Sequence, residues 1–173
     1  MPKARISHAF VLTTCVAALL GGASAWAATQ SVTANMRFDA PLTLTKTSDI
    51  DLGSVTAATA STYTISTAGS VTTTAGPGVP LAGPTAAGSI TISGSSTQLV
   101  DISAGGYTAS NGVTPSNATC AYDGGAEGSC GITGAAAPGA GKNLLVGVRV
   151  NANGTQASGT SAAPSFNITV VYQ

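Results

Sequence analysis

Phe166-Asn167-Ile168-Thr169-Val170-Val171-Tyr172-Gln173 places large apolar side chains at every second position. Phe166, Ile168, Val170 and Tyr172 share one face; Asn167, Thr169, Val171 and Gln173 share the other. Strand side chains alternate between faces with a period of two, so the stretch reads as a half-buried β-strand. Burying each large apolar group contributes roughly 1.5–3 kcal/mol. The pattern predicts an integral core strand, with Phe166→Ala costing about 3–5 kcal/mol, the usual range for an emptied aromatic core site.

Working outward, the same period recurs along the chain. Val32, Ala34, Met36 and Phe38 alternate with polar partners, as do Leu42 and Leu44 after Pro41. Ile50, Leu52 and Val55 follow around Gly53. Tyr63 with Ile65, and Ile90 with Ile92, mark two Ser/Thr-rich strands. Leu99-Val100-Asp101-Ile102 reads as a more buried strand, and Leu144, Val146, Val148 and Val150 line one face of another. Turn signals separate these runs: Gly76-Pro77-Gly78, Gly105-Gly106, Asn111-Gly112, Gly124-Gly125 and Asn153-Gly154. Asn-Gly pairs favour the positive φ of type I′ hairpins. About eight or nine short strands with such turns predict an all-β protein, a single antiparallel β-sandwich, with loops at residues 75–88 and 134–141.

The first 27 residues have a different character. Lys3 and Arg5 precede a 12-residue apolar run, Ala9 to Leu20, and Ala25-Trp26-Ala27 supplies small residues ahead of a cleavage point. This order is that of a secretory signal, so cleavage between Ala27 and Ala28 is expected, leaving one domain over 28–173. The run is shorter than the ~20 apolar residues a membrane span requires, so no membrane insertion is expected after cleavage. A lipid-modified Cys15 is the alternative. The expected location is extracytoplasmic: periplasm, cell surface or medium.

Cleavage also removes the single His and the single Trp. What remains carries four basic residues (Arg37, Lys46, Lys142, Arg149) and six acidic ones (Asp39, Asp49, Asp51, Asp101, Asp123, Glu127). Proton shuttling and activated nucleophiles at neutral pH rely on His or on Ser and Cys beside a base. The mature chain cannot assemble those constellations, so no enzyme activity, catalytic residue or cofactor is expected. Scattered cations do not make a phosphate-binding stripe, which argues against nucleic acid as a partner. A surface of Ser, Thr, Asn and Gly with little net charge permits self-association or contact with other surface subunits.

Cys120 and Cys130 are an even pair in an oxidising compartment, with nine residues between them, and predict one local disulfide. By the chain-entropy estimate it would contribute about 2.5–3 kcal/mol. Asp49 and Asp51, read as lying on one strand face about 7 Å apart, have the spacing of an inverting glycosidase pair but are more simply a polar strand face. Asp123 and Glu127 lack the register of a calcium loop, so no metal site is expected. Asn117, Asn153 and Asn167 match the N-glycosylation acceptor pattern, as chance allows in a Thr-rich chain. Phe38, Tyr63 and Phe166 read as core. Tyr107 and Tyr122, in or near loops, are the rings available for stacking on a sugar.

The stretch Leu42-Thr-Leu-Thr-Lys-Thr-Ser-Asp-Ile-Asp-Leu-Gly-Ser-Val55 resembles the opening of the bacterial secreted family named domain of unknown function 4402. Gly88-Ser-Ile-Thr-Ile-Ser-Gly94 and the terminal Phe166–Gln173 strand fit its middle and end. The resemblance implies an immunoglobulin-like sandwich, similar to fimbrial and spore-coat-type adhesin subunits, and transfers no catalytic residue. The expected function is a structural or adhesive surface protein. The alternative is a carbohydrate- or small-ligand-binding module. For the N-terminal segment from Val32 to Phe38 the expectation is a first strand paired within its own sandwich; completing a neighbour's sheet is the other reading.

Overall fold

Ten antiparallel strands in two facing sheets make up the described part of the chain, residues 29–173 of a computed structural model. The expected signal segment, its Ala27/Ala28 cleavage point and Cys15 lie outside the described residues. The chain divides between Met36 and Arg37. Before the division, residues 29–36 form neither strand nor helix, and Val32 and Met36 are exposed. From Arg37 onward the chain forms the sandwich.

In chain order the strands are β1 (Thr43–Ser48), β2 (Ala60–Ile65), β3 (Val71–Ala75), β4 (Gly88–Ser93), β5 (Val100–Thr108), β6 (Val113–Tyr122), β7 (Gly128–Ser129), β8 (Ile132–Ala135), β9 (Lys142–Asn153) and β10 (Ser165–Tyr172). Seven strands form the larger sheet around β9. Its first half pairs with β4, and its second half pairs with β2 on the same side. The opposite side of β9 pairs with β6. Outside them, β1 pairs with β4, β3 with β2, and β7 with β6. The smaller sheet runs β10-β5-β8.

The β9 alternation is as read: Leu144, Val146, Val148, Val150 and Ala152 are buried along one face. They form the floor of the core. One cluster joins Leu144 and Val146 to Ile92, Val100, Ile102 and the two half-cystines. The other joins Val148, Val150 and Ala152 to Tyr63 and Ile65. On the outer face Gly147 sits where β2 ends and β4 begins, and a Cβ there would strike the Ile65 carbonyl and Thr119 Oγ1. Glycine lets the two half-strands share one side of β9.

Several expectations are corrected. The segment from Val32 to Phe38 is not a strand of the sandwich, and Phe38 is 83% exposed rather than core. Alternation records what a segment can pair with, not whether that partner belongs to its own domain. Ile50 to Val55 makes only isolated bridges, Asp51 with Ala86 and Val55 with Pro80, because Gly53 turns the chain at φ 66°. Gly105-Gly106 lies inside β5: two residues of β5 face one of β10 there, a bulge that Gly106 allows at φ 64°. Val100 and Ile102 are buried at the start of β5, and Leu99, just before the strand, is exposed. Asn111-Gly112 makes the expected tight turn, with reciprocal Ser110–Val113 backbone bonds of 2.9 and 2.8 Å.

β10 keeps its predicted faces but not its predicted depth. Phe166, Ile168, Val170 and Tyr172 are half-buried, and their intervening neighbours are exposed. β10 is an edge strand, paired with β5 alone among the described residues.

Candidate functional site

A three-stranded sheet cannot cover a seven-stranded one. Where the small sheet stops, at β10, the space between the sheets opens into a half-open cavity of about 640 Å³. Its floor is Val146, Val148 and Val150 of β9; Phe166 and Ile168 of β10 form one wall, and Ile50 and Ile90 belong to the opposite one. A second cavity of about 560 Å³ shares Leu52, Gly53, Val150, Ala162 and Pro164 with the first and carries the trough on toward Val55 and Tyr63. The Tyr63 hydroxyl is buried and has no hydrogen-bond partner among the described residues. Apolar and polar groups share the lining: Lys46, Ser48, Asp49, Asp51, Ser89 and Ser165 border the first cavity beside its valines, isoleucines and Phe166.

The far end of β10 is closed by a clasp. Tyr172 Oη donates to the Ala40 carbonyl at 2.6 Å and accepts from the Ser95 amide at 2.6 Å. Beside it, Asp39 accepts from Ser95 Oγ at 2.7 Å and from Gln98 Nε2 at 3.0 Å, and Arg37 donates to Thr97 Oγ1 at 2.7 Å. The hydrogen bonds from Ser95 and Gln98, with Arg37 nearby, hold the Asp39 carboxyl below its ordinary value. The chain entering β1 is thus tied to the corner where β4 leaves one sheet for the other.

Cys120 and Cys130 are bonded, and both are buried in the larger core cluster. Cys130 lies between β7 of the large sheet and β8 of the small one, so the disulfide fixes the corner where the chain changes sheets.

The two tyrosines read as stacking rings have separate settings. Tyr107 stacks on Phe166 with ring centroids 5.5 Å apart, and its hydroxyl accepts from the Ala118 amide at 3.0 Å. Tyr122 donates to the Ala136 carbonyl at 3.0 Å and lies under Lys142, whose Nζ is 5.8 Å from the ring centroid. Burial, with the Asp123 carboxylate adjacent, raises the Tyr122 hydroxyl above its ordinary value.

The carboxylates are likewise engaged. Asp49 pairs with Lys46 at 2.7 Å, and Asp51 accepts from the Gly53 amide at 2.7 Å in a turn, not on the strand face expected. Asp123 is ion-paired with Lys142. Burial works to raise the Glu127 carboxyl, but bonds from the Thr67 amide at 2.8 Å and hydroxyl at 2.7 Å outweigh it and leave the group below its ordinary value. Among the described residues no three metal-ligating side chains cluster. Asn117 occupies a bulge of β6 at φ 46°, and Asn153 Oδ1 accepts from Thr155 and Gln156 in the turn after β9.

Sequence reasoning missed the trough because a gap between sheets has no local sequence signature. Neither a curated protein nor a solved structure matches the chain. A family model does match, over residues 42–172, which spans every strand of the sandwich. The chain belongs to the family described as a domain of unknown function, DUF4402.

Proposed function

We propose that this protein is an exported, non-catalytic structural or adhesive subunit of a bacterial cell surface, one that works by associating with other chains. The observation that carries the reading is the open trough beside β10: an inter-sheet space floored by valines, with a strand edge unpaired among the described residues, the kind of surface a second polypeptide completes. A signal-like N-terminus, a disulfide and a charge-poor Ser/Thr surface support export. No helix among the described residues is long and apolar enough to cross a membrane.

Two measurements test the proposal. Immunogold electron microscopy of native surface material should place the protein in surface fibres or a coat. Sedimentation of the purified mature chain should show mass rising with concentration. A monomer at all concentrations that is confined to the periplasm would overturn the proposal. Binding of that monomer on a glycan array would favour the carbohydrate-binding alternative.

A further inference from the structure

Two Asn-Gly pairs punctuate the sandwich, Asn111-Gly112 and Asn153-Gly154, and the fold treats their side-chain amides in opposite ways. An asparagine before glycine is open to attack by the next backbone nitrogen on its own side-chain carbon, because glycine brings no Cβ to obstruct the approach. The outcome depends on what stabilises charge on Oδ1, what holds Nδ2, and whether the backbone is free to bend into a ring.

At Asn153, Oδ1 accepts three hydrogen bonds: from the Thr155 amide at 3.1 Å, Thr155 Oγ1 at 2.8 Å and Gln156 Nε2 at 2.7 Å. A backbone amide only donates, so the atom facing it is the oxygen, and this fixes the orientation of the side chain. Donors converging on one carbonyl oxygen stabilise the negative charge that an attacked carbonyl develops. All three fall on the oxygen and leave the departing nitrogen, Nδ2, out of the set. Asn153 is exposed at the end of β9, and Gly154 leaves the sheet at φ 81°.

At Asn111 the arrangement is reversed. Its Nδ2 donates to the Ser161 carbonyl at 2.5 Å, so the nitrogen that would depart is held. Its backbone sits at φ 46° in the turn closed by the reciprocal Ser110–Val113 bonds, and its carbonyl accepts from Gln156 Nε2 at 2.9 Å. That turn must open before a ring can close.

We infer that Asn153 is a site of spontaneous deamidation built into the fold, and that Asn111 is protected from the same reaction. The Gly154 nitrogen gives its proton to solvent and attacks Asn153 Cγ. The N–Cγ bond forms, and the carbonyl electron pair moves onto Oδ1, where the three donors receive it. The pair returns, the Cγ–Nδ2 bond breaks, and the nitrogen takes a proton from water and leaves as ammonia. Water then opens the succinimide ring at either carbonyl, giving aspartate or isoaspartate; nothing is oxidised or reduced. The reaction falls at a junction. Gln156 bridges Asn153 to Asn111, its carbonyl accepts from the Ala58 amide at 2.8 Å, and residues 156–162 line the second cavity. Aspartate adds a charge there, and isoaspartate adds a backbone atom where the connection to β10 begins.

The test uses the full mature chain, aged in mildly alkaline buffer both folded and unfolded in urea. Peptide mass spectrometry reads aspartate plus isoaspartate at each Asn-Gly pair. In the folded protein Asn153 should convert at least tenfold faster than Asn111, whereas in urea the two rates should agree within about threefold. Thr155→Val removes the hydroxyl donor and keeps the side chain's shape. It should slow Asn153 at least threefold in the folded chain and not in urea, and Thr155→Ser should restore the rate. Equal or reversed rates at the two pairs in the folded protein, or no conversion at either, would overturn the inference. So would a preference for Asn153 that persists undiminished in urea, or a folded Thr155→Val rate equal to that of the wild type.

Discussion

At the residue scale, two tyrosines with opposite bonding show what a hydroxyl contributes. Tyr172 makes two hydrogen bonds that join the last strand to Ala40 and Ser95. Removing them strands a carbonyl and an amide, so Tyr172→Phe should lower stability by about 1–2 kcal/mol in denaturant unfolding. Tyr63 buries a hydroxyl with no partner among the described residues, so Tyr63→Phe should be neutral or slightly stabilising in the same measurement. Asn117 holds a left-handed conformation in β6. Asn and Gly tolerate that region, while a β-branched residue is strained there by roughly 1–2 kcal/mol. Asn117→Gly should therefore leave the unfolding midpoint nearly unchanged, and Asn117→Val should lower it.

At the element scale, β10 illustrates both the reach and the limit of pattern reading. Its faces were legible because alternation is a local property; its depth was not, because depth depends on what covers it. With Phe166 half-buried against Tyr107, Phe166→Ala should cost about 1.5–3 kcal/mol, below the range expected of a sealed core site. Thermal melts check this, and Asn167→Ala on the exposed face should change little. β9 was read in full because its floor residues are uniformly apolar. β6 escaped notice because Pro115 and Asn117 look like loop residues, yet they sit on an edge strand and in its bulge, where each is allowed. Gly105-Gly106 looked like a turn and is a bulge, since glycine marks positive φ without saying which structure uses it. Of the site, Phe166 and Ile168 were named from sequence, but the trough they border depends on the unequal width of two sheets assembled from distant strands.

At the scale of the whole molecule, the fold is a broad sheet only partly covered by a narrow one, held at its corners by the disulfide and the Tyr172 clasp. Acid should loosen it in a predictable direction. Asp39 and Glu127 are held below their ordinary values in the folded state. Their contribution is complete above the unfolded carboxyl value of about 4, and is lost as pH falls through the lowered folded values. Denaturant midpoints measured between neutral and acid pH should fall below that point, and Asp39→Asn with Glu127→Gln should flatten the decline. The central claim, that β10 is an open edge completed by another chain, is tested most directly by amide hydrogen exchange at two protein concentrations. In dilute protein every second β10 amide, paired with β5, should be protected while the intervening amides exchange quickly; at assembling concentration the intervening amides should become protected as well. Uniform protection of β10 in dilute protein, matching that of β9, would contradict the account.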